Sequence, residues 1–295
     1  MVSVRRRRVL VAGLLTGAAL VLGYGPSEPE APAAVGGELP AGGAPVRIDY
    51  GPAADTFGQL YLPTVGQGPF PVVVLVHGGG WSQYRNLGES APQAVALAAH
   101  GVAVWNVEYR RVHGAGGWPT TLHDVRDAVN ALAGPVRERV GDTLDLHRVH
   151  LAGHSAGGHL AAWVAAQPLD PELKVRSATL MAAVLDLDFA ARNGRDRFVR
   201  GLLGGAPEEV PERYHLASPI EHLAVGVALT AVHGDADRVV SPEQSRRYIT
   251  AAQRAGRRTE LHILRGSGHA DFLDTTSLAW QTAQAAILGH AATLR

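Results

Sequence analysis

Ser155 stands at the centre of Gly153-His154-Ser155-Ala156-Gly157, a G-x-S-x-G pattern. A serine hydroxyl becomes a useful nucleophile only when a base removes its proton, and the base needs a carboxylate to orient it. The pattern alone says little in a chain with 35 glycines. Its surroundings say more. Val149 to Ala152 is a short apolar run that reads as a buried strand, and residues 159–166 are small and apolar and read as a helix. A strand that feeds a helix through so sharp a turn pushes the central side chain outward. It also requires glycine two places either side, where a Cβ would collide with neighbouring backbone. The N–H of Ala156 then faces the position where negative charge develops.

His77-Gly78-Gly79-Gly80-Trp81 follows a β-branched run, Val72 to Val76. A tetrahedral intermediate needs backbone N–H donors aimed at its oxyanion. Gly79 and Gly80, joined by Ala156, are the expected donors. His77 is expected to brace this loop rather than to act as base. The base belongs after the last strand, where Gly266-Ser267-Gly268-His269 offers His269. His262 falls within a strand pattern and His290 within the terminal helix, while His154 and His159, which flank Ser155, read as packing or cavity-wall residues. The acid belongs on the loop after the Val227 strand, His233-Gly234-Asp235-Ala236-Asp237-Arg238-Val239-Val240. Asp237, further from the strand, is the expected acid and Asp235 the expected loop brace. Asp186 and Asp188, after the preceding strand, are a third source. Trp81, Tyr84, Trp118 and Phe198 are candidate walls of a substrate pocket.

These groups require a scaffold that delivers loops to one edge. Val46 to Tyr50 and Gln59 to Leu62 read as short strands, a hairpin at a sheet edge. Further strands are expected over Pro71–Val76, Val102–Val107, Val149–Ala152, Ala178–Val184, Val227–Val232 and Glu260–Leu264. Helices are expected over Thr120–Leu132, after Ser155, over Pro242–Ala255 and over Thr276–Ala292. Strands alternating with helices imply an α/β protein with a mostly parallel central sheet covered on both faces. Residues 186–223 are charged and broken by Gly204, Gly205 and Pro207; they read as a small irregular insertion over the strand ends, where such sheets bind ligands.

Arg5 to Arg8 followed by the apolar run Val9 to Leu22 reads as a signal segment, with a loose twin-arginine pattern and a small-x-small site at Ala31-Pro32-Ala33. Residues 1–33 are thus expected to be a signal peptide, or an N-terminal anchor held by residues 9–25, with export as the expected outcome. Residues 34–45 read as a Pro/Gly/Ala-rich linker and 46–295 as the main domain. The 295-residue chain has zero formal net charge, which gives no indication of a nucleic-acid partner. The absence of cysteine excludes disulfides and thiolate chemistry. The 14 histidines form no recognised metal-binding spacing, and no metal or organic cofactor is expected.

Over about residues 46–293 the chain resembles the α/β-hydrolase superfamily. Its H-G-G-G-W, G-H-S-A-G-G-H-L-A, H-G-D-A-D-R-V-V and late G-S-G-H motifs resemble esterases related to hormone-sensitive lipase. They resemble bacterial feruloyl and acetylxylan esterases and kynurenine formamidases more closely still. Those relatives carry the acid at the position of Asp237. The Asn106–Arg111 stretch and the segment from Gly117-Trp118-Pro119 to Asp124 also resemble them and imply structural roles. The resemblance implies a serine hydrolase that cleaves a small-molecule carboxylic ester through an acyl-enzyme. Cleavage of an amide, by an arylformamidase or small peptidase, is the alternative. A non-catalytic binding protein on the same fold is the third reading.

Overall fold

A computed structural model describes residues 44–193 and 196–294 of the chain. The expected signal segment, residues 1–33, and linker residues 34–43 lie outside the described residues.

The β-branched runs form the centre of an eight-stranded sheet. Its strands are β1 (Val46–Asp49), β2 (Phe57–Tyr61), β3 (Phe70–Val76), β4 (Ala103–Val107), β5 (Leu144–His154), β6 (Val175–Met181), β7 (Ala228–Gly234) and β8 (Thr259–Leu264). They lie in the order β1-β2-β4-β3-β5-β6-β7-β8. β2 runs antiparallel to both its neighbours, and β4 to β8 are mutually parallel. The expected edge hairpin is therefore β1–β2.

Side chains on β3 alternate between the two faces, as the period of a strand requires. Val72, Val74 and Val76 enter the larger core, while Val73 and Leu75 enter the smaller one. The larger core is closed by α2 (Thr120–Asn130), α3 (Pro135–Val140), α4 (Ala156–Val164) and α8 (Glu243–Arg254). The smaller is closed by α1 (Ala91–Ala98) and α9 (Leu278–Thr293). The central strands are buried on both faces, which is why they are continuous apolar runs.

Several boundaries differ from the sequence reading. β5 begins at Leu144, not Val149, and carries register shifts against both neighbours near Val149. Its first half is polar and half-buried, so the apolar run marked only the central part. β6 ends at Met181, because Ala182 turns to φ 44° and its N–H donates to Val232 O at 2.9 Å. The insertion at 186–223 is not irregular. It holds α5 (Leu187–Asn193), α6 (Asp196–Leu203) and α7 (Pro211–Ala217), whose apolar residues Leu187, Ala191, Val199, Leu202, Leu203, Tyr214 and Ala217 all join the larger core. This arrangement is the α/β-hydrolase fold.

Candidate active site

β5 delivers the chain to Ser155 and α4 starts at the next residue. Ser155 has φ 55° and ψ −119°, a conformation an L-residue holds only when its surroundings enforce it. Its N–H donates to Met181 O on β6 at 2.8 Å, which fixes the turn to the sheet. The flanking glycines are needed for close approach. A Cβ on Gly157 would lie 2.1 Å from Val76 O, and one on Gly153 would lie 2.3 Å from Gly157 O. Ala156 opens α4, so its N–H is one of those a helix leaves without an intrahelical acceptor.

The loops after β7 and β8 bring Asp237 and His269 together. His269 Nδ1–H donates to Asp237 Oδ2 at 2.7 Å; a carboxylate can only accept, so the ring proton sits on Nδ1. Asp237 Oδ1 accepts from the N–H groups of Val239 and Val240 at 2.8 and 2.9 Å. His233 Nε2 lies 3.3 Å from Asp237 Oδ2 and also donates to Val240 O at 3.0 Å. Burial alone would push the Asp237 carboxyl up, but the hydrogen bonds from His233 and His269 outweigh it and hold the group well below the usual carboxylate range. His233 had no assigned role in the sequence reading. Its signal was a polar side chain near the end of a wholly buried strand, four residues before Asp237.

The competing aspartates are occupied elsewhere. Asp235 Oδ1 accepts from Gly266 N at 2.7 Å, tying the loop that carries Asp237 to the loop that carries His269 as a brace. Asp186 pairs with Arg247 at 2.7 Å and accepts from Phe189 N near the start of α5. Asp188 is exposed and pairs with Arg192.

Gly79, Gly80 and Trp81 have successive positive φ values of 104°, 62° and 56°. At Gly80 the space is also taken, since a Cβ there would meet the Phe198 ring at 2.8 Å. His77 braces this loop from beneath. Its Nε2 lies 2.9 Å from Glu108 Oε1, its Nδ1 lies 2.8 Å from Gly78 O, and its ring stacks on Tyr109 at 4.4 Å. Glu108 also pairs with Arg111, which reaches Asp55, and Arg110 pairs with Asp124. The Asn106–Arg111 stretch is thus committed to holding loops.

His159 is fixed by two hydrogen bonds. Trp81 Nε1 donates to its Nδ1 at 3.2 Å, and its Nε2 donates to Ala217 O at 2.9 Å. One turn on, Trp163 Nε1 donates to Leu216 O at 2.9 Å, so α4 tethers the C-terminus of α7 twice. Burial pushes the His159 ring down to about 4, so it is neutral.

Ser155, Ala156, His269, Gly79, Gly80, Trp81, Tyr84 and Phe198 all line one cavity of about 450 Å³. Tyr84 stands at its mouth, 83% exposed. Trp118 is not in this lining: it packs against the larger core, and its main-chain N–H donates to Leu202 O at 2.7 Å. Its place is taken by residues the sequence reading missed, among them Val184, Phe189, Val199, Val240 and Leu273. Phe189 and Val199 belong to α5 and α6, the helices read as irregular chain. The charged lining residues Arg85 and Glu89 pair with each other at 2.6 Å. Among the described residues no cluster of three or more His, Cys, Asp or Glu could hold a metal ion.

The order serine, aspartate, histidine along this sheet is the order used by α/β-hydrolases. The family model described as BD-FAE matches residues 59–251. The chain belongs to that family, an esterase family of the α/β-hydrolase fold. Esterase LipC of Mycobacterium tuberculosis is 31% identical over 249 residues, covering 77% of this chain and 60% of its own. Isoprenylcysteine alpha-carbonyl methylesterase ICME of Arabidopsis thaliana is 26% identical over 244 residues, covering 76% and 56%. A kynurenine formamidase of Danio rerio is 25% identical over 233 residues, covering 77% and 75%. The chain thus spans less than two thirds of the length of the first two. Two solved structures share the fold. A truncated carbohydrate esterase from gut microbiota has TM-score 0.71 and 18% identity, covering 86% of this chain and 98% of its own. The propionate-bound thermophilic esterase Est2 of Thermogutta terrifontis has TM-score 0.67 and 24% identity, covering 82% and 91%.

Proposed function

We propose that this chain is a serine hydrolase that cleaves carboxylic esters through an acyl-enzyme, with Ser155 as nucleophile, His269 as base and Asp237 as orienting acid. One observation carries this reading: His269 is bonded to Asp237 at 2.7 Å on the wall of the cavity that Ser155 also lines. His269 Nε2 takes the proton of Ser155 as Oγ attacks the acyl carbon. The imidazolium then gives that proton to the leaving alcohol, which departs as the C–O bond breaks. Water, deprotonated by His269, attacks the acyl-enzyme and releases the carboxylic acid. Asp237 fixes the tautomer and stabilises the imidazolium in both halves. The N–H groups of Gly79, Gly80 and Ala156 receive the oxyanion, and each such donor is worth about a hundredfold to a thousandfold in rate.

The apolar wall formed by Val184, Phe189, Phe198, Val199 and Leu273 favours an uncharged, apolar group on one side of the scissile bond. The resemblance to a kynurenine formamidase favours an amide as the second substrate class. The test is a panel of p-nitrophenyl esters, acetylated xylan, feruloyl esters and N-formylkynurenine, run with wild type, Ser155→Ala and His269→Ala. Ester turnover that both variants abolish supports the reading. Turnover near wild type in folded Ser155→Ala overturns it, and turnover of the formamide alone moves the enzyme to the amide class.

Export directed by residues 1–33 is part of the proposal, supported by Arg5–Arg8 and the apolar Val9–Leu22 run. Mass spectrometry of protein made in a secreting host should find a chain that starts well after residue 25. An intact N-terminus on cytoplasmic protein would count against it.

A further inference from the structure

His154 closes β5 immediately before the nucleophile and is buried, with 8% exposure. Its Nε2 lies 2.9 Å from the main-chain oxygen of His269. A carbonyl can only accept, so Nε2 carries the ring proton. The ring sits 4.6 Å from the His269 ring and 5.6 Å from Phe272. On its other side is Gly78, where a Cβ would come within 3.2 Å of His154 Nδ1. The ring thus packs against His269 and Phe272 and leaves no room for a side chain at Gly78. Burial, with the neighbouring His269 ring, pushes His154 down to about 3, so it does not compete with His269 for protons near neutrality.

Asp237 sets the rotation of the His269 ring through Nδ1. It does not set how far the main chain of His269 stands from Ser155. Among the hydrogen bonds described here, the one from His154 joins the residue beside the nucleophile directly to the main chain of the base. We infer that His154 is a positioning residue that fixes the separation of base and nucleophile through its Nε2–H bond to the His269 carbonyl. This rests on the proposed Ser155–His269 pair. Misplacing a reacting group by about 1 Å can cost about a hundredfold in rate.

The test compares His154→Gln with His154→Met. The two side chains are equal in length, and Gln places an N–H donor where histidine has Nε2 while Met places none. The readouts are kcat and KM for a small p-nitrophenyl ester and the rate of Ser155 labelling by a fluorophosphonate. The expected result is a loss in kcat of about ten- to a hundredfold for His154→Met with KM within about twofold, slowed labelling in proportion, and recovery of most of the activity in His154→Gln. Equal impairment of both variants assigns His154 to packing and overturns the inference, as does a His154→Met enzyme with kcat near wild type. If His154→Met does not fold, His154→Asn, whose amide ends short of the His269 carbonyl, takes its place in the comparison and must show the same deficit relative to His154→Gln. Ser155→Ala and His269→Ala run alongside: if they stay active the triad itself is wrong, whereas if they are dead and His154→Met is active only the positioning role fails.

Discussion

Two aspartates stand two residues apart on one loop, and their hydrogen bonds separate their roles. Asp237 meets His269, His233 and two backbone N–H groups, whereas Asp235 meets the backbone of Gly266. Asp237→Asn should therefore lower kcat by about ten-thousandfold, the loss seen when a well-studied triad loses its carboxylate. It should also lower the melting temperature, because the buried ionised carboxyl is held by His269, His233 and two backbone N–H groups. Asp235→Asn, whose amide oxygen can still accept from Gly266 N–H, should keep kcat within about tenfold and lose less stability than an ordinary hydrogen bond is worth, about 0.5–1.5 kcal/mol. Asp186→Asn should leave turnover near wild type, because its partner is Arg247. Steady-state kinetics and thermal melts on these variants check all three, and a dead Asp235→Asn beside an active Asp237→Asn would reverse the assignment. Ser155, Asp237 and His269 could be named as candidates from the sequence because each follows a recognisable strand in a fixed order. His233 could not be given a role, and His154 could be read only as a packing or cavity-wall residue, since their partners, Asp237 and the His269 carbonyl, come close only once β5 to β8 lie side by side in one parallel sheet.

At the scale of elements, the serine turn depends on α4 lying against the end of β3. In Gly157→Ala the new methyl would meet Val76 O at 2.1 Å and His77 O at 2.4 Å, both backbone atoms that cannot rotate away. The expected loss is at least about 3 kcal/mol in urea unfolding, together with turnover, because strain on β3 also shifts the glycine loop. A Gly157→Ala protein with wild-type stability and kcat would contradict the close packing. α6 sets the cavity through Phe198, whose ring covers Gly80. Phe198→Ala should raise the kcat/KM ratio of a p-nitrophenyl hexanoate over an acetate by about tenfold, within the range that a few methylenes are worth in an apolar pocket. An unchanged ratio would place the acyl group elsewhere. The long apolar strands were legible because burial on both faces leaves unbroken runs. The insertion was not, because α5, α6 and α7 have only seven or eight residues each, too few for a helical period to stand out among charges. The polar first half of β5 was lost for the opposite reason, since a half-buried strand has no apolar run.

For the whole molecule, buried neutral histidines make stability depend on acidity. Burial lowers His150 and His159 to about 4 and His154 to about 3, and it lowers His290 as well. In the unfolded chain these rings take up protons near pH 6.5, so below that the unfolded state binds more protons and stability falls as pH falls toward 4. His150 and His159 should each cost about 2 kcal/mol between pH 7 and pH 5. Asp237, held low, adds a further loss only below the ordinary carboxylate range. Urea unfolding at pH 7 and pH 5 checks this, and a flat profile would mean the rings are hydrated or already charged in the native state. The most direct test of the central claim is the intact mass of the chain after a fluorophosphonate, followed by peptide mapping. One adduct per molecule is expected, carried by Ser155, absent in Ser155→Ala and slow to form in His269→Ala. A folded wild-type protein that stays unlabelled, or an adduct carried by any other residue, would contradict it.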